Sequence, residues 1–314
     1  MFMPCDWQPS ASIVHLQQRA KLMSQLRTFF SERGVWEVDT PVLGAASVSD
    51  PHIEALSVAE HYLQTSPEYF MKRLLAAGSG AIYYLGKAFR RDEAGARHNP
   101  EFTMLEWYRP KFDDHRLIDE LVELIRYLKV AAAITKISYG ELFERHTGLN
   151  PHTASAAQFR QLAAEKLDVN WPDDSISLWL DLLFSHLVEP QLNDAIYLVY
   201  DYPACQKALA KTSVNAEGVE VAHRFEMFWQ GIEVANGYWE LTDAAEQRKR
   251  FNADNQTRCE LSKPIIAPDE KFLAALDAGL PECAGVALGV DRLLMCLLEQ
   301  RTISSVLPFS YMQL

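Results

Sequence analysis

Between Phe225 and Leu241 the chain reads Phe-Glu-Met-Phe-Trp-Gln-Gly-Ile-Glu-Val-Ala-Asn-Gly-Tyr-Trp-Glu-Leu, a run of strand formers with glutamates seven apart at Glu226, Glu233 and Glu240. No other stretch limits the fold as much. Side chains alternate along a strand, so an odd spacing sends neighbouring acids to opposite faces if the strand is unbroken. If Gln230-Gly231 is a two-residue turn instead, Phe228 lies opposite Glu233, and Glu226 shares their face. Reaching Glu240 on that face takes one extra residue, which we place as a glycine bulge at Asn236-Gly237. Three carboxylates then converge among Trp, Phe, Val and Ile. Such a group is costly unless a cation sits with it, because uncompensated buried charge is shifted or avoided. Magnesium and an amine-bearing ligand are both suitable; outward-facing acids on a half-exposed sheet are the plain alternative.

The chain around this hairpin has 314 residues, enough for one large or two ordinary domains. With 48% hydrophobic and 23% charged residues it is a folded protein and not a disordered one. No run approaches about 18 apolar residues, so no membrane span is expected. The start, Met-Phe-Met-Pro-Cys-Asp, lacks a basic segment followed by an apolar one, which points to a cytoplasmic protein. Thirty basic against 42 acidic residues give a net charge of −12, which opposes nonspecific nucleic-acid binding while leaving room for a local basic patch. The five cysteines, Cys5, Cys205, Cys259, Cys283 and Cys296, are far apart, with no CxxC and no histidine at ligand spacing. Neither a disulfide framework nor a structural zinc site is indicated.

Ile13, Leu16, Ala20, Met23, Leu26, Phe29 and Phe30 recur at three and four, the mark of an amphipathic helix that Ser10 or Ser12 caps and Gly34 ends. Val35 to Pro41 is an extended run halted by proline. Two strand-forming runs, Ile82 to Arg91 and Glu101 to Tyr108, flank a polar loop holding Gly95, Asn99 and Pro100, and read as an antiparallel pair. Residues 114–190 carry helical periodicity and read as a helical insertion. Strand signals return at Ala195 to Tyr202, a helix follows the carboxylate hairpin from Ala244, and Gly285 to Leu298 is a strand passing into a buried helix. The expectation is a single domain over 1–314.

Familiar nucleotide loops are missing. Gly80 to Lys87 has the glycine gap one residue too long for a phosphate loop, and no GxGxxG, HExxH or GxSxG occurs. Arg90 ends a strand beside a loop with His98 and Asn99, and Phe102 opens the return strand. A planar guanidinium fork suits a phosphate and an aromatic ring suits a base, although strand-end arginines are more often simply solvated. Arg292, after Gly289-Val-Asp, either reaches a ligand from a helix start or pairs with Asp291 or a neighbour.

Taken together these segments resemble the catalytic core of class II aminoacyl-tRNA synthetases, specifically the lysyl subgroup. Gly34 to Pro41 looks like motif 1, Phe89 to Asp92 with His98 to Tyr108 like motif 2, and Gly285 to Arg292 like motif 3. Thr65 to Arg73 and Gly231 to Asp243 resemble that subgroup's amino-acid pocket. Because the chain enters the motif 1 helix by about residue 12, there is no room for an anticodon-binding domain ahead of it. It is thus similar to the freestanding bacterial paralogues that activate (R)-β-lysine with ATP and attach it to a lysine of elongation factor P.

The resemblance implies an α+β fold, an antiparallel sheet flanked by helices, and a homodimer with the motif 1 helix and strand at its interface. It implies ATP as co-substrate, Mg2+ as metal, β-lysine and elongation factor P as substrates, and no tRNA. Arg90 would hold the α-phosphate and act with Arg292 in catalysis; Phe102 would stack on adenine, and Arg91, Asp92, His98, Asn99, Val234, Gly289 and Arg292 would border the nucleotide. Glu226 and Glu233 would bind magnesium, Glu233 also facing ATP. Ser66, Pro67, Glu68, Tyr108, Asn236, Glu240 and Ala287 would form the substrate pocket. Asp92 stands where motif 2 usually has glutamate, so the adenine-side contact falls to water or Glu93. Ala287 replaces a customary glycine, consistent with a β-amino acid. A truncated lysyl-tRNA synthetase core, an inactive regulatory module and an ammonia-using amide synthetase are the other readings of such a chain.

Overall fold

The computed structural model describes residues 7–172 and 174–314, so Cys5 lies outside it. Helix α1 (Ile13–Glu32) leads to short strands β1 (Trp36–Glu37), β2 (Leu43–Gly44), β3 (Ser57–Val58) and β4 (His61–Leu63), then α2 (Glu68–Ala76) and long strands β5 (Ile82–Phe89) and β6 (Glu101–Pro110). Next come α3 (Asp114–Tyr127), β7 (Ile134–Ser138), α4 (Tyr139–Thr147), α5 (Ala156–Leu167) and α6 (Ile176–Leu183). They are followed by β8 (Ile196–Pro203), β9 (Thr212–Val214), β10 (Glu220–Trp229) and β11 (Ile232–Trp239). The chain closes with α7 (Ala244–Glu260), α8 (Glu270–Gly279), β12 (Cys283–Gly289) and α9 (Val290–Leu297). It folds into two compact units. The first runs to Trp107 and takes in Ala244–Leu280 and Leu288–Leu314; the second holds Tyr108–Asp243 and Pro281–Ala287.

In the first unit Ser12 caps α1 by accepting from the His15 amide at 3.2 Å, and Gly34, with φ +66°, follows its end. Of the expected apolar stripe Leu26, Phe29 and Phe30 pack inward, joined by Leu22 from outside it, while Ile13 stays exposed. Phe30 stacks on Tyr83 at 4.6 Å and lies 5.2 Å from Trp107, which fastens α1 to β5 and β6. Of the extended run after Gly34, just Trp36 and Glu37 enter a ladder, parallel to β5. At the other end of β5 the Arg90 amide donates to the Pro100 carbonyl at 2.9 Å, closing the loop ahead of β6, its neighbour in the sheet. Asp291, buried at the start of α9, accepts from Arg19 Nη1 at 2.6 Å and from the Thr103 amide at 2.7 Å. The helix start is thereby held to α1 and β6.

In the second unit the strand order is β12-β11-β10-β8-β7, with β9 also on β10. Strand β10 is antiparallel to β8, β9 and β11, but β7 is parallel to β8, as β1 is to β5. The sheet structure is therefore mixed where antiparallel pairing was expected throughout. Long helical crossovers between β7 and β8 return the chain in the same direction, and parallel pairing requires such a connection. Residues 114–190 supply α3 to α6, and they also hold β7, which five residues of Ile-Thr-Lys-Ile-Ser are too short to announce by periodicity. Tyr139, Phe143, Phe159, Trp179, Leu183, Tyr202 and Phe228 join one buried cluster between these helices and the strands. Among the described residues no helix is long and apolar enough to cross a membrane.

Candidate active site

The hairpin of β10 and β11 turns as its sequence suggests. Gln230 and Gly231 both have positive φ, +55° and +63°, the conformation of a tight turn whose twist matches the strands, and Phe228 lies opposite Glu233. The extra residue is placed differently. It falls at Val234, between the pairs Phe228–Glu233 and Met227–Ala235, and not at Asn236-Gly237. Gly237 has another task, since a methyl group there would lie 2.4 Å from the Phe225 ring and 2.9 Å from the Gly285 carbonyl oxygen. A bulge at either place restores the same alternation, so Glu226, opposite Asn236, shares a face with Glu233, Asn236 and Glu240. The three acids do not converge on a point: Glu240 is four residues past Asn236, about 13 Å along the strand.

Glu226 is buried, and both its oxygens have donors. Tyr202 Oη donates to Oε2 at 2.7 Å, and the Arg224 guanidinium donates to Oε1. Burial raises its pKa to about 7, against the pull of Arg224 and with a further push from the Glu233 charge. Two carboxylates this close favour a shared cation. The buried Asn236 Oδ1 accepts no hydrogen bond among the described residues. Carboxylate and amide oxygens are the donors a hard divalent ion takes, so Glu226 and Glu233 fit magnesium.

Farther along the same face, Glu240 is fully buried and its amide donates to the Cys283 carbonyl at 3.0 Å. A methyl group at Gly285 would sit 2.2 Å from the Tyr108 ring and 2.6 Å from Glu240 Oε1. Tyr108 and Glu240 therefore pack directly on the backbone of Gly285, where no side chain fits without displacing them. Ala287 is half-buried two residues along β12, and Val234 is buried in the bulge.

Arg90 and Arg292 lie in the first unit. The Arg90 guanidinium lies 5.3 Å from the centre of the Phe102 ring and 3.5 Å from Glu93, while its Nε is buried without a hydrogen bond among the described residues. Arg292 does not pair with Asp291, which Arg19 and Thr103 occupy; it donates through Nη2 to His98 Nε2 at 2.6 Å and through Nε to the Arg97 carbonyl at 3.4 Å. Gly289 caps α9 without a side chain. Asn99 uses both ends of its amide inside the protein, donating to the Glu101 carbonyl at 2.7 Å and accepting from the Tyr311 amide at 2.9 Å. That fixes the loop and leaves the side chain little for a ligand. Asp92, with φ +63°, and Arg91 both point into solvent.

Ser66, Pro67 and Glu68 open α2. Ser66 Oγ accepts from the Glu68 amide at 3.0 Å and donates to Glu106 Oε2 at 2.8 Å. Glu68 is ion-paired at 2.6 Å with Lys72, whose side chain is completely buried. The charge of Glu68 is thus matched from within, one turn along its own helix.

A family profile, the class II tRNA synthetases (D, K and N), matches residues 6–313. The chain belongs to this synthetase family. Among its relatives are proteins named elongation factor P–(R)-β-lysine ligase from Histophilus somni strain 2336, 49% identical, and Proteus mirabilis strain HI4320, 47% identical, each with 97% of both chains covered. One of the same name from Haemophilus influenzae strain PittGG is 45% identical at equal coverage.

Other residues that the geometry brings forward were not singled out from the sequence. Glu106, a buried carboxylate on β6, emerges through its bond to Ser66. Lys72 could have been found as a lysine four after Glu68, and Arg224 as a strand residue two before Glu226. Gly285 was visible as a glycine within a strand. Far from any motif, Asp114, Asp201 and His223 each offer a ligand atom within 4.8 Å of the others, a set that could hold a metal ion. His223 Nδ1 is 3.1 Å from Asp114 Oδ2 and Nε2 is 2.8 Å from Ser213 Oγ. With 109 residues separating Asp114 from His223, sequence spacing says nothing of it.

Proposed function

We propose that this chain is a ligase that uses ATP to activate (R)-β-lysine as an acyl-adenylate and transfers it to a lysine side chain of elongation factor P. The observation that carries the reading is Glu240, a buried carboxylate that packs together with Tyr108 against the bare backbone of Gly285. A carboxylate so placed selects an ammonium group, as a diamine substrate requires. The shared name of the relatives supports the same reading.

In the first step the substrate carboxylate attacks the α-phosphorus of ATP and pyrophosphate leaves. Two anions approach, so cations must meet the growing charge on the phosphoryl oxygens. Arg90 supplies a fixed guanidinium there, Arg292 and His98 take the outer phosphates, and Phe102 takes the base. Magnesium held by Glu226 and Glu233 would add charge that offsets the phosphates. No base is required, because the attacking carboxylate is already ionised. Glu240 and Asn236 hold the amino groups, Glu106 joins Ser66 and Glu68 at the start of α2, and Ala287 narrows the space under the substrate backbone.

The protein works in the cytoplasm as a homodimer formed through α1 and β1, whose exposed Ile13, Val14 and Trp36 offer apolar surface. A single catalytic domain spans the chain, and tRNA is not its acceptor. The test is ATP–pyrophosphate exchange with (R)-β-lysine, (S)-β-lysine and α-lysine side by side, followed by transfer to elongation factor P or to lysine tRNA. Exchange led by (R)-β-lysine with transfer to the protein is expected. Charging of tRNA, or no exchange with any of the three, overturns the reading.

A further inference from the structure

The metal-binding role of Glu226 meets an obstacle in the second unit: a cation is already there. Arg224 and Glu226 are two apart on β10 and share a face, and the guanidinium donates to Glu226 Oε1. Arg224 is held by more than that contact. Its Nη1 donates to the Gln206 carbonyl at 3.0 Å, and its guanidinium carbon lies 4.6 Å from the centre of the Tyr202 ring. Tyr202 in turn donates to the other oxygen of Glu226, so a half-buried arginine and a buried tyrosine grip the carboxylate from both sides. Gln206 is itself fixed, donating to Asp181 at 2.6 Å. The arginine's Nε is buried and makes no hydrogen bond among the described residues. Geometry this constrained belongs to a residue placed for its charge and its plane, and surface ion pairs lack it.

We propose that Arg224 is a positioning residue that stands in for the divalent ion at Glu226 and keeps the carboxylate pair from loading metal before nucleotide binds. The inference rests on the reading of Glu226 and Glu233 as metal ligands. Two acids side by side in a largely buried face would capture a divalent ion unaided. A fixed positive charge within hydrogen-bond distance of one of them opposes the incoming ion and takes a lone pair it would use. The phosphates of ATP carry enough negative charge to reverse that balance, so metal and nucleotide enter together. Tyr202 meanwhile keeps Glu226 oriented, whichever cation is present.

The experiment is Mn2+ titration of the full-length protein without nucleotide, followed by electron paramagnetic resonance of the free ion. Binding that survives Glu226→Gln belongs to other groups, such as Asp114, Asp201 and His223, and is subtracted. Wild type should hold Mn2+ weakly at Glu226, and Arg224→Gln should tighten it on the order of tenfold or more. Arg224→Lys should stay within about threefold of wild type, because it returns the charge. Tight nucleotide-free Mn2+ binding in the wild type overturns the proposal whether or not any variant folds. So does equal or weaker binding in a folded Arg224→Gln protein, which is what a merely structural arginine gives. The underlying reading is tested apart from this, by calorimetry of a non-hydrolysable ATP analogue with and without Mn2+. If Glu226→Gln leaves the metal's contribution to nucleotide affinity unchanged, Glu226 is not a metal ligand.

Discussion

The candidate arginines of the first unit and the candidate carboxylates of the second are built in opposite ways. In the first, Arg90 and Arg292 are partly exposed and sit at a strand end and a helix start, Arg90 beside Glu93 and Arg292 donating to His98 and to the Arg97 carbonyl. In the second, Glu226 and Glu240 are buried in strands, and Glu226 is gripped from two sides. An arginine stays charged at any working pH and can lay its stem along the protein while its head remains wet, so a loop suffices to present it. A carboxylate taken out of water has to be matched by donors that the fold supplies in advance. Removing a group from the first set should therefore harm the reaction and spare the fold, while the second set should harm both.

The largest effect is expected at Arg90. Arg90→Ala should lower ATP–pyrophosphate exchange by about 10²–10³, the usual cost of losing one preorganised donor at a reacting phosphate. Its melting temperature should stay within about 2 °C of wild type, because the side chain is held by a partly exposed ion pair at 3.5 Å and a contact with the Phe102 ring at 5.3 Å. Exchange within threefold of wild type removes Arg90 from the chemistry; a large drop in melting temperature breaks the contrast between the units. Next comes Glu240→Gln. Losing a charged hydrogen bond to an ammonium group should cost the amine substrate about 1.5–3 kcal/mol of affinity, roughly ten- to a hundredfold. ATP affinity, titrated separately, should change little. Equal losses for both ligands would count against a pocket role.

The same contrast explains what could be read in advance. The strand, polar loop and return strand from Phe89 to Phe102 were legible as one contiguous stretch, and the Arg90–Pro100 backbone bond closes that loop. The shared face of the carboxylates was legible too, because Gln230-Gly231 sets the pairing and alternation then demands one extra residue. Alternation cannot say where that residue goes: Val234 and Asn236-Gly237 restore the same parity at Glu240. The convergence of three acids failed for the same reason, since parity gives a face and not a distance. What remained hidden depends on side chains meeting across the sequence, as Ser66 meets Glu106 and His223 meets Asp114. The parallel strand β7 was masked by the helices around it.

A smaller effect separates two glycines of β12. Gly285→Ala adds a methyl group 2.2 Å from the Tyr108 ring and 2.6 Å from Glu240 Oε1, so overpacking should destabilise the protein by about 1–3 kcal/mol in denaturant unfolding and weaken the amine substrate. Gly289→Ala meets the Arg292 side chain at an ordinary 3.7 Å and should cost less. The reverse ranking would mean that the packing beside Glu240 relaxes freely.

The smallest effect concerns His223 in the second unit, whose imidazole pairs with the buried Asp114 carboxylate. Burial works to lower the imidazole pKa, but the hydrogen bond and charge of Asp114, with Asp201 behind it, outweigh burial and raise it above 6.5. A histidine whose folded pKa is raised binds its proton more tightly folded than unfolded. Its stabilisation is complete below pH 6.5 and is lost as pH rises through the folded value. The unfolding free-energy difference between wild type and His223→Gln, measured in EDTA, should thus shrink as pH rises from 6.5 through the folded value. In Asp114→Asn the raising charge is gone and burial governs, as it does at His152, where burial lowers the pKa. The His223 proton resonance should then titrate below 6.5. If Asp114→Asn leaves that titration in place, Asp201 is the dominant partner, and the pairing across β8 and β10 outranks the one to α3.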